Sequence, residues 1–144
     1  MPSLRERALG YLARREHSRA ELARKLSPHG EADEIAALLD ALEQERLLSD
    51  GRFAESLRHT RQGRYGSLRL RHELQQKGVA AGQAEREVEL ARVSDLEHAR
   101  AVWLKKFGAP PADARERARQ MRFLLGRGFP MDVAVRVVGG REVD

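Results

Sequence analysis

Apolar residues recur along this chain at three- and four-residue intervals, and glycine or proline punctuates the stripes they form. Ala8, Tyr11 and Leu12 mark a first helix. Ser18 with Glu21 makes a capping box ahead of Leu22 and Leu26, one turn apart on one face. Ile35, Leu38, Leu39 and Leu42 supply the i, i+3, i+4, i+7 pattern of a half-buried helix. Asp50 is read as the cap of a segment that turns Phe53 and Leu57 inward, and Ser67 opens another, with Leu70 and Leu74 buried and Gly78 as its stop. Ala84, Val88 and Ala91 form a weaker stripe. Ser94 with Glu97 reads as a second capping box, before Leu96, Ala99, Trp103 and Phe107, and Gly108 with Pro110 and Pro111 ends that helix. Asp113 with Glu116 reads as a third, opening a helix through Met121, Leu124 and Leu125 to Gly128. Pro130 then introduces Met131–Val138, where Val133, Val135 and Val137 alternate at period two, so strand competes with helix.

The segments repeat. Leu22-Ala23-Arg24-Lys25, Leu74-Gln75-Gln76-Lys77 and Leu124-Leu125-Gly126-Arg127 share Leu-x-x-basic near the end of a capped helix, at spacings of 52 and 50 residues. The last two continue alike, as Gly78-Val79 and Gly128-Phe129, and each is flanked by one helix before and one after. A three-helix unit of about 50 residues used three times accounts for this, and it decides the ambiguous last segment in favour of helix. One such unit cannot cover its own apolar face, so neighbours must stack. The expected fold is all-α: three tandem three-helix repeats over residues 3–47, 48–93 and 94–140, stacked into an elongated, curved array, nine helices in all.

Composition agrees. Among 144 residues there are 20 Ala and 19 Leu against 9 Val and one Ile, with aromatics at 5% and charged residues at 34%. Ala and Leu lose little freedom in a helix, whereas sheets favour branched and aromatic side chains. There is no cysteine, which excludes disulfides, thiolate catalysis and thiol-ligated metal. No apolar run approaches the length of a membrane span, and the start of the chain is charged rather than signal-like, so a soluble cytoplasmic protein is expected.

The net charge is +5, and 23 of the 27 basic residues are Arg. That excess fits bidentate recognition of phosphate or carboxylate, and equally a GC-rich coding bias. Its distribution says more: residues 1–47 carry a net −1, whereas 48–93 and 94–144 each carry +3. Arg52, Arg58, Arg61, Arg64, Arg69, Arg71 and Lys77 face only Glu55 and Glu73 within residues 52–77. Arg58 and Arg61 can share a helical face, and Arg64 and Tyr65 lie between Gly63 and Gly66, where the backbone can approach a partner. Tyr65 either offers a stacking surface or packs over the next helix. A solvated face and a surface for a polyanion or acidic protein both fit the arginines.

Catalytic chemistry is poorly supplied. His17, His29, His59, His72 and His98 are scattered without metal-ligand spacing and read as surface residues, and no phosphate loop or nucleophile elbow occurs. Arg69, Glu73 and Lys77 form an i, i+4 ladder of the kind that stabilises its own helix. Ser18–Ser27 looks like the first helix of a helix-turn-helix, but the next helix holds Glu31, Asp33, Glu34, Asp40, Glu43 and Glu45 with no Lys or Arg across 31–45, and phosphates would repel it.

The run Leu47-Leu48-Ser49-Asp50-Gly51-Arg52-Phe53-Ala54, then Arg58, Arg61, Tyr65-Gly66 and Glu73-Leu74-Gln75-Gln76-Lys77-Gly78-Val79 resembles the central signature of the RecX family, bacterial regulators of the RecA recombinase. His17–Leu26 is similar to that family's first-repeat signature, and Arg122–Phe129 to its third. Ser49 stands where an acidic residue is usual, and Arg46-Leu47 where Gly-aromatic is common. The resemblance, from about Leu4 to Val138, implies three tandem three-helix repeats, binding within the groove of the RecA–single-strand DNA filament, and inhibition of its ATP hydrolysis, strand exchange and coprotease role. No catalytic residue is implied.

The expected function is therefore that of a non-catalytic, monomeric regulator of the recombinase filament, without cofactor, metal, membrane or small-molecule substrate. The expected contacts are Arg58, Arg61, Arg64, Arg69, Arg71 and Lys77, with Arg119, Arg122 and Arg127 as a second group. The alternative is a helical module that binds DNA directly, and weak binding to bare DNA is compatible with both. The sequence leaves open filament capping versus groove binding. Gly139–Asp144 is expected to fray.

Overall fold

A computed structural model describes residues 1–139; residues 140–144, most of the tail expected to fray, lie outside the described residues. Nine α-helices and one short 3-10 turn make up the described regular structure: α1 (Leu4–Arg14), α2 (Arg19–Leu26), the turn Ser27–His29, α3 (Ala32–Gln44), α4 (Asp50–Arg61), α5 (Ser67–Gln76), α6 (Ala81–Val93), α7 (Asp95–Lys106), α8 (Ala114–Gly126) and α9 (Met131–Gly139). Met131–Val138 is helical, because Ala134, Val137 and Val138 bury one side of a turn-spaced stripe. No helix among the described residues is long and apolar enough to cross a membrane.

The fold has two compact units, Met1–Ser56 with Leu74–Ala84, and Leu57–Glu73 with Glu85–Asp144. The first is organised around Ala8, Leu22, Leu26, Ile35, Leu39, Leu42 and Leu48, with Tyr11 and Leu12 at its edge. The second buries Ala99, Trp103, Leu124, Phe129, Ala134, Val137 and Val138. Trp103 Nε1 donates to Gln120 Oε1 at 2.8 Å, which satisfies the one polar atom that this large ring brings inside.

Each unit contains the same joint. In the first, Ser18 Oγ accepts from the Glu21 amide and donates to the Lys77 carbonyl at 2.7 Å, so the end of α5 is seated on the start of α2. Gly78, with φ +74°, lies so close there that a Cβ would stand 2.7 Å from that of Ala20. In the second, the amides of Gly66 and Leu68 donate to the carbonyls of Arg127 and Gly128 at 2.9 and 3.0 Å, seating the end of α8 on the start of α5. Gly128, with φ +88°, is pressed on Arg69, and a Cβ would lie 2.6 Å from the Arg69 nitrogen. Ala20 and Arg69 each follow their serine, Ser18 or Ser67, by two residues. The glycine stops of the repeat therefore serve as backbone contact points as well as helix terminators.

Several expected caps are made differently. The box of Ser18 and Glu21 is present. Asp50 does not cap its own helix: Ser49 Oγ accepts the Arg52 amide at 3.1 Å, and Asp50 Oδ1 instead accepts the Arg19 amide at 2.7 Å, serving the start of α2. Ser94 makes no side-chain cap, because ψ near 1° continues the turn from α6 and its amide bonds to the Ala91 carbonyl. Asp113 accepts from the Glu116 amide, but the Glu116 carboxylate turns to Arg119 and Gln120. Arg46 closes α3 at φ +62°, a left-handed conformation that explains why glycine suits this position. His17 is buried rather than on the surface. Its Nδ1 lies 3.0 Å from the Arg15 carbonyl and its Nε2 accepts from Lys25 Nζ at 2.8 Å; burial and the nearby cations hold its pKa below the usual imidazole value.

Candidate functional site

The basic residues of the second and third repeats sort by whether a carboxylate of the chain already holds them. Arg58 Nε donates to Glu87 at 2.7 Å, and both side chains are largely buried, 18% and 9% exposed. Arg61 and Arg69 converge on Glu73 at 3.0 and 2.9 Å, bracing α4 against α5. Burial pushes the Glu73 carboxyl up, but these two guanidiniums outweigh it and leave the pKa lowered. Arg71 grips both oxygens of Glu85 at 2.8 and 3.0 Å. The i, i+4 ladder expected along α5 is thus only half made. Arg69 reaches Glu73, but Lys77 turns away, because Glu21, already holding Arg15 at 2.6 Å, takes it at 3.2 Å. Burial acts to raise the Glu21 pKa, yet bonds from Arg15 and Lys77 win and hold it at about 2.

Arg64, Arg122 and Arg127 are different: among the described residues none has a carboxylate partner. Arg64 and Arg122 are exposed. Arg127 donates from Nη1 to the Arg64 carbonyl at 3.2 Å, and its guanidinium lies 5.4 Å from the Tyr65 ring and 5.1 Å from the Phe123 ring. Tyr65 also carries Arg69 at 4.0 Å and Arg64 at 5.8 Å, so it is half-buried beneath three guanidiniums and does not stand free. Arg119 pairs with Glu116 at 3.1 Å and lies over Phe107 at 5.3 Å.

Arg64 and Arg127 belong to a groove of about 440 Å³, lined further by Gly63, Val102, Lys105, Lys106 and Phe123. Among the described residues no carboxylate lines it, and Lys106 Nζ stands 5.6 Å from the Phe123 ring. Sequence reasoning missed Lys105 and Lys106. They lie about forty residues beyond Arg64, outside any local charge window, and their one signal was being the adjacent lysines of an Arg-rich chain. Among the described residues, no group of three or more His, Asp or Glu side chains is placed to hold a metal ion.

Family models match nearly the whole described chain in order: the first three-helix domain of RecX over residues 5–42, the second over 49–86 and the third over 94–138. This chain belongs to the RecX family. It is 51% identical to the regulatory protein RecX of Ralstonia nicotianae, over 97% of this chain and 89% of that one, and 53% identical to that of Leptothrix cholodnii, over 94% and 87%. The crystal structure of RecX from Lactobacillus salivarius shares the fold, with a TM-score of 0.79 at 22% identity, covering 95% of this chain and 93% of that one. The RecX repeat thus coincides with the periodicity of the Leu-x-x-basic segments.

Proposed function

We propose that this RecX-family chain is a non-catalytic regulator of RecA that binds the recombinase filament on single-stranded DNA and restrains its ATP hydrolysis, strand exchange and coprotease role. It acts as a cytoplasmic monomer that needs neither metal nor cofactor. The observation that carries the reading is the carboxylate-free cationic groove of Arg64, Lys105, Lys106 and Arg127 on a family scaffold of regulators. Charges not neutralised within the chain remain available to an anionic partner. Arg64, Arg122 and Arg127 make the primary contacts. Arg58, Arg61, Arg69, Arg71, Lys77 and Arg119 contribute field from within their ion pairs.

A protein built from repeated units offers repeated surfaces to a polymer of repeated subunits, so modest contacts add through effective concentration. Bridging of neighbouring subunits opposes the rearrangements of ATP turnover or obstructs a second DNA. The test adds the protein to a pre-formed RecA filament and follows ATP turnover and co-sedimentation, beside bare DNA. Slowed turnover with preferential co-sedimentation is expected. Unaffected turnover overturns the proposal, and equal binding to bare DNA favours the direct DNA module.

A further inference from the structure

Lys25 and His17 form a pair whose chemistry the regulatory reading does not use. The Arg15 carbonyl can only accept, so the His17 Nδ1 that lies 3.0 Å from it carries the ring hydrogen. That bond fixes the tautomer: Nε2 presents its lone pair, and Lys25 Nζ stands 2.8 Å from it. An amine, a base in hydrogen-bond contact with it and a third group orienting that base are the parts of an activated nucleophile. His17 is 1% exposed, so packing holds the base in place, whereas Lys25 is only half-buried and its amine stays within reach of a small molecule.

The surroundings favour the unprotonated amine. Burial first, and then the charges of Arg15, Lys77 and Arg14, hold the Lys25 pKa below the usual amine value against the opposing pull of Glu21. The Tyr11 ring, 4.8 Å from Nζ, also favours the ammonium, and it fixes where the side chain ends. The amine opens on a groove of about 480 Å³ lined by Glu21, Arg24, Lys25, Gln76 and Lys77. Arg15 and Lys77 occupy the Glu21 carboxylate. Arg24 is exposed and has no carboxylate partner among the described residues. A guanidinium beside a nucleophilic amine suits an electrophile that carries its own phosphate.

We propose that Lys25 is an acylation site, at which a small acyl phosphate transfers its acyl group to Nζ with His17 as general base and Arg24 holding the phosphate. The neutral amine attacks the carbonyl carbon, a C–N bond forms, and the excess N–H proton passes to His17 Nε2. The bond from that carbon to the phosphate oxygen then breaks, inorganic phosphate leaves with the electron pair, and His17 gives its proton to water. The product is an uncharged amide at Lys25. The site is independent of the filament reading.

The chain has four lysines, so Lys77, Lys105 and Lys106 serve as internal comparisons. The full chain is incubated with acetyl phosphate across a pH series, and acetylation of each lysine is followed over time by peptide mass spectrometry. Lys25 should react at least about tenfold faster than Lys105 and Lys106 at neutral pH, well within what a positioned base supplies, and its rate should level off at lower pH than theirs. His17→Gln keeps an acceptor for Lys25 but removes the base, and should erase most of that advantage. Arg24→Gln should slow the reaction with acetyl phosphate several-fold and leave that with uncharged p-nitrophenyl acetate unchanged, which keeps the proposal testable if the His17 variant folds poorly. Equal rates at Lys25 and the other lysines overturn the proposal, and so does full reactivity of Lys25 in a folded His17→Gln chain. An Arg24→Gln effect shared by both donors, or absent from both, overturns the phosphate-bearing donor.

Discussion

Asp95, the first residue of α7, accepts two hydrogen bonds from Ser67, the first residue of α5: the amide at 3.0 Å and the hydroxyl at 2.5 Å. Asp50, the first residue of α4, does the same service for α2 through the Arg19 amide. In both cases the leading aspartate of one repeat satisfies an unpaired N–H at the start of the previous repeat's second helix. The Ser67–Asp95 pair is the more deeply buried, and burial raises the Asp95 pKa even though both Ser67 bonds act to lower it.

Replacing Asp95 with Ala should cost about 2 kcal/mol, since it strands a buried amide and hydroxyl. Urea unfolding of the single and double variants with Ser67→Ala checks it. A double variant no worse than Asp95→Ala alone is the expected sign of coupling.

Gly128→Ala should destabilise more than Gly63→Ala. Both residues have positive φ, which costs an L-residue roughly 1–2 kcal/mol, but only at Gly128 would the new Cβ collide with the backbone of Arg69. Thermal unfolding of the two variants side by side measures the difference, and equal losses would mean that the joint tolerates a shift.

Arg46→Gly should stabilise the protein by about 0.5–1 kcal/mol. The strain of φ +62° is relieved, no side-chain bond is lost, and the carbonyl that accepts from Arg52 is kept. The extra freedom of glycine in the unfolded chain offsets part of the gain. A raised urea midpoint at unchanged slope would establish it.

Charge reversal at Arg58 and Arg61 should unfold more than it informs. It leaves Glu87 without its partner, leaves Glu73 with Arg69 alone, and adds like charge in partly buried sites, at a cost of about 3 kcal/mol. Arg64→Glu, by contrast, should change stability by no more than about 0.5 kcal/mol, so any loss of filament inhibition in it reports binding. Circular dichroism melts run alongside the turnover assay separate the two effects.

Stability should fall on the acid side. The Glu21 pKa, about 2 in the fold against 4.5 ordinarily, is depressed, so its contribution is complete above pH 4.5 and lost as pH falls toward 2. His17, also depressed, adds a loss that begins as pH drops through 6.5, where the unfolded imidazole takes up a proton that the folded one resists. Glu21→Gln should flatten the lower limb of a stability–pH curve and leave the upper limb in place.

The stripes of Leu22 and Leu26, Ile35 to Leu42, and Leu124 with its glycine stop were legible because a helix shows its buried face at local spacing, and a repeated unit prints that spacing again. The sequence by itself therefore determined nine helices, their grouping in threes and the cationic bias of the later residues. Only the tertiary structure decided which cations are spent. Arg58 meets Glu87 twenty-nine residues on, Lys77 meets Glu21 fifty-six residues back, and Arg64 and Lys105 come to one groove. The same distinction moved Asp50 from capping its own helix to capping another, set Asp95 against Ser67, and placed His17 inside. Helix formation depends on neighbours three and four residues away, whereas the partner of a long charged side chain depends on which helices pack together, and no local pattern encodes that.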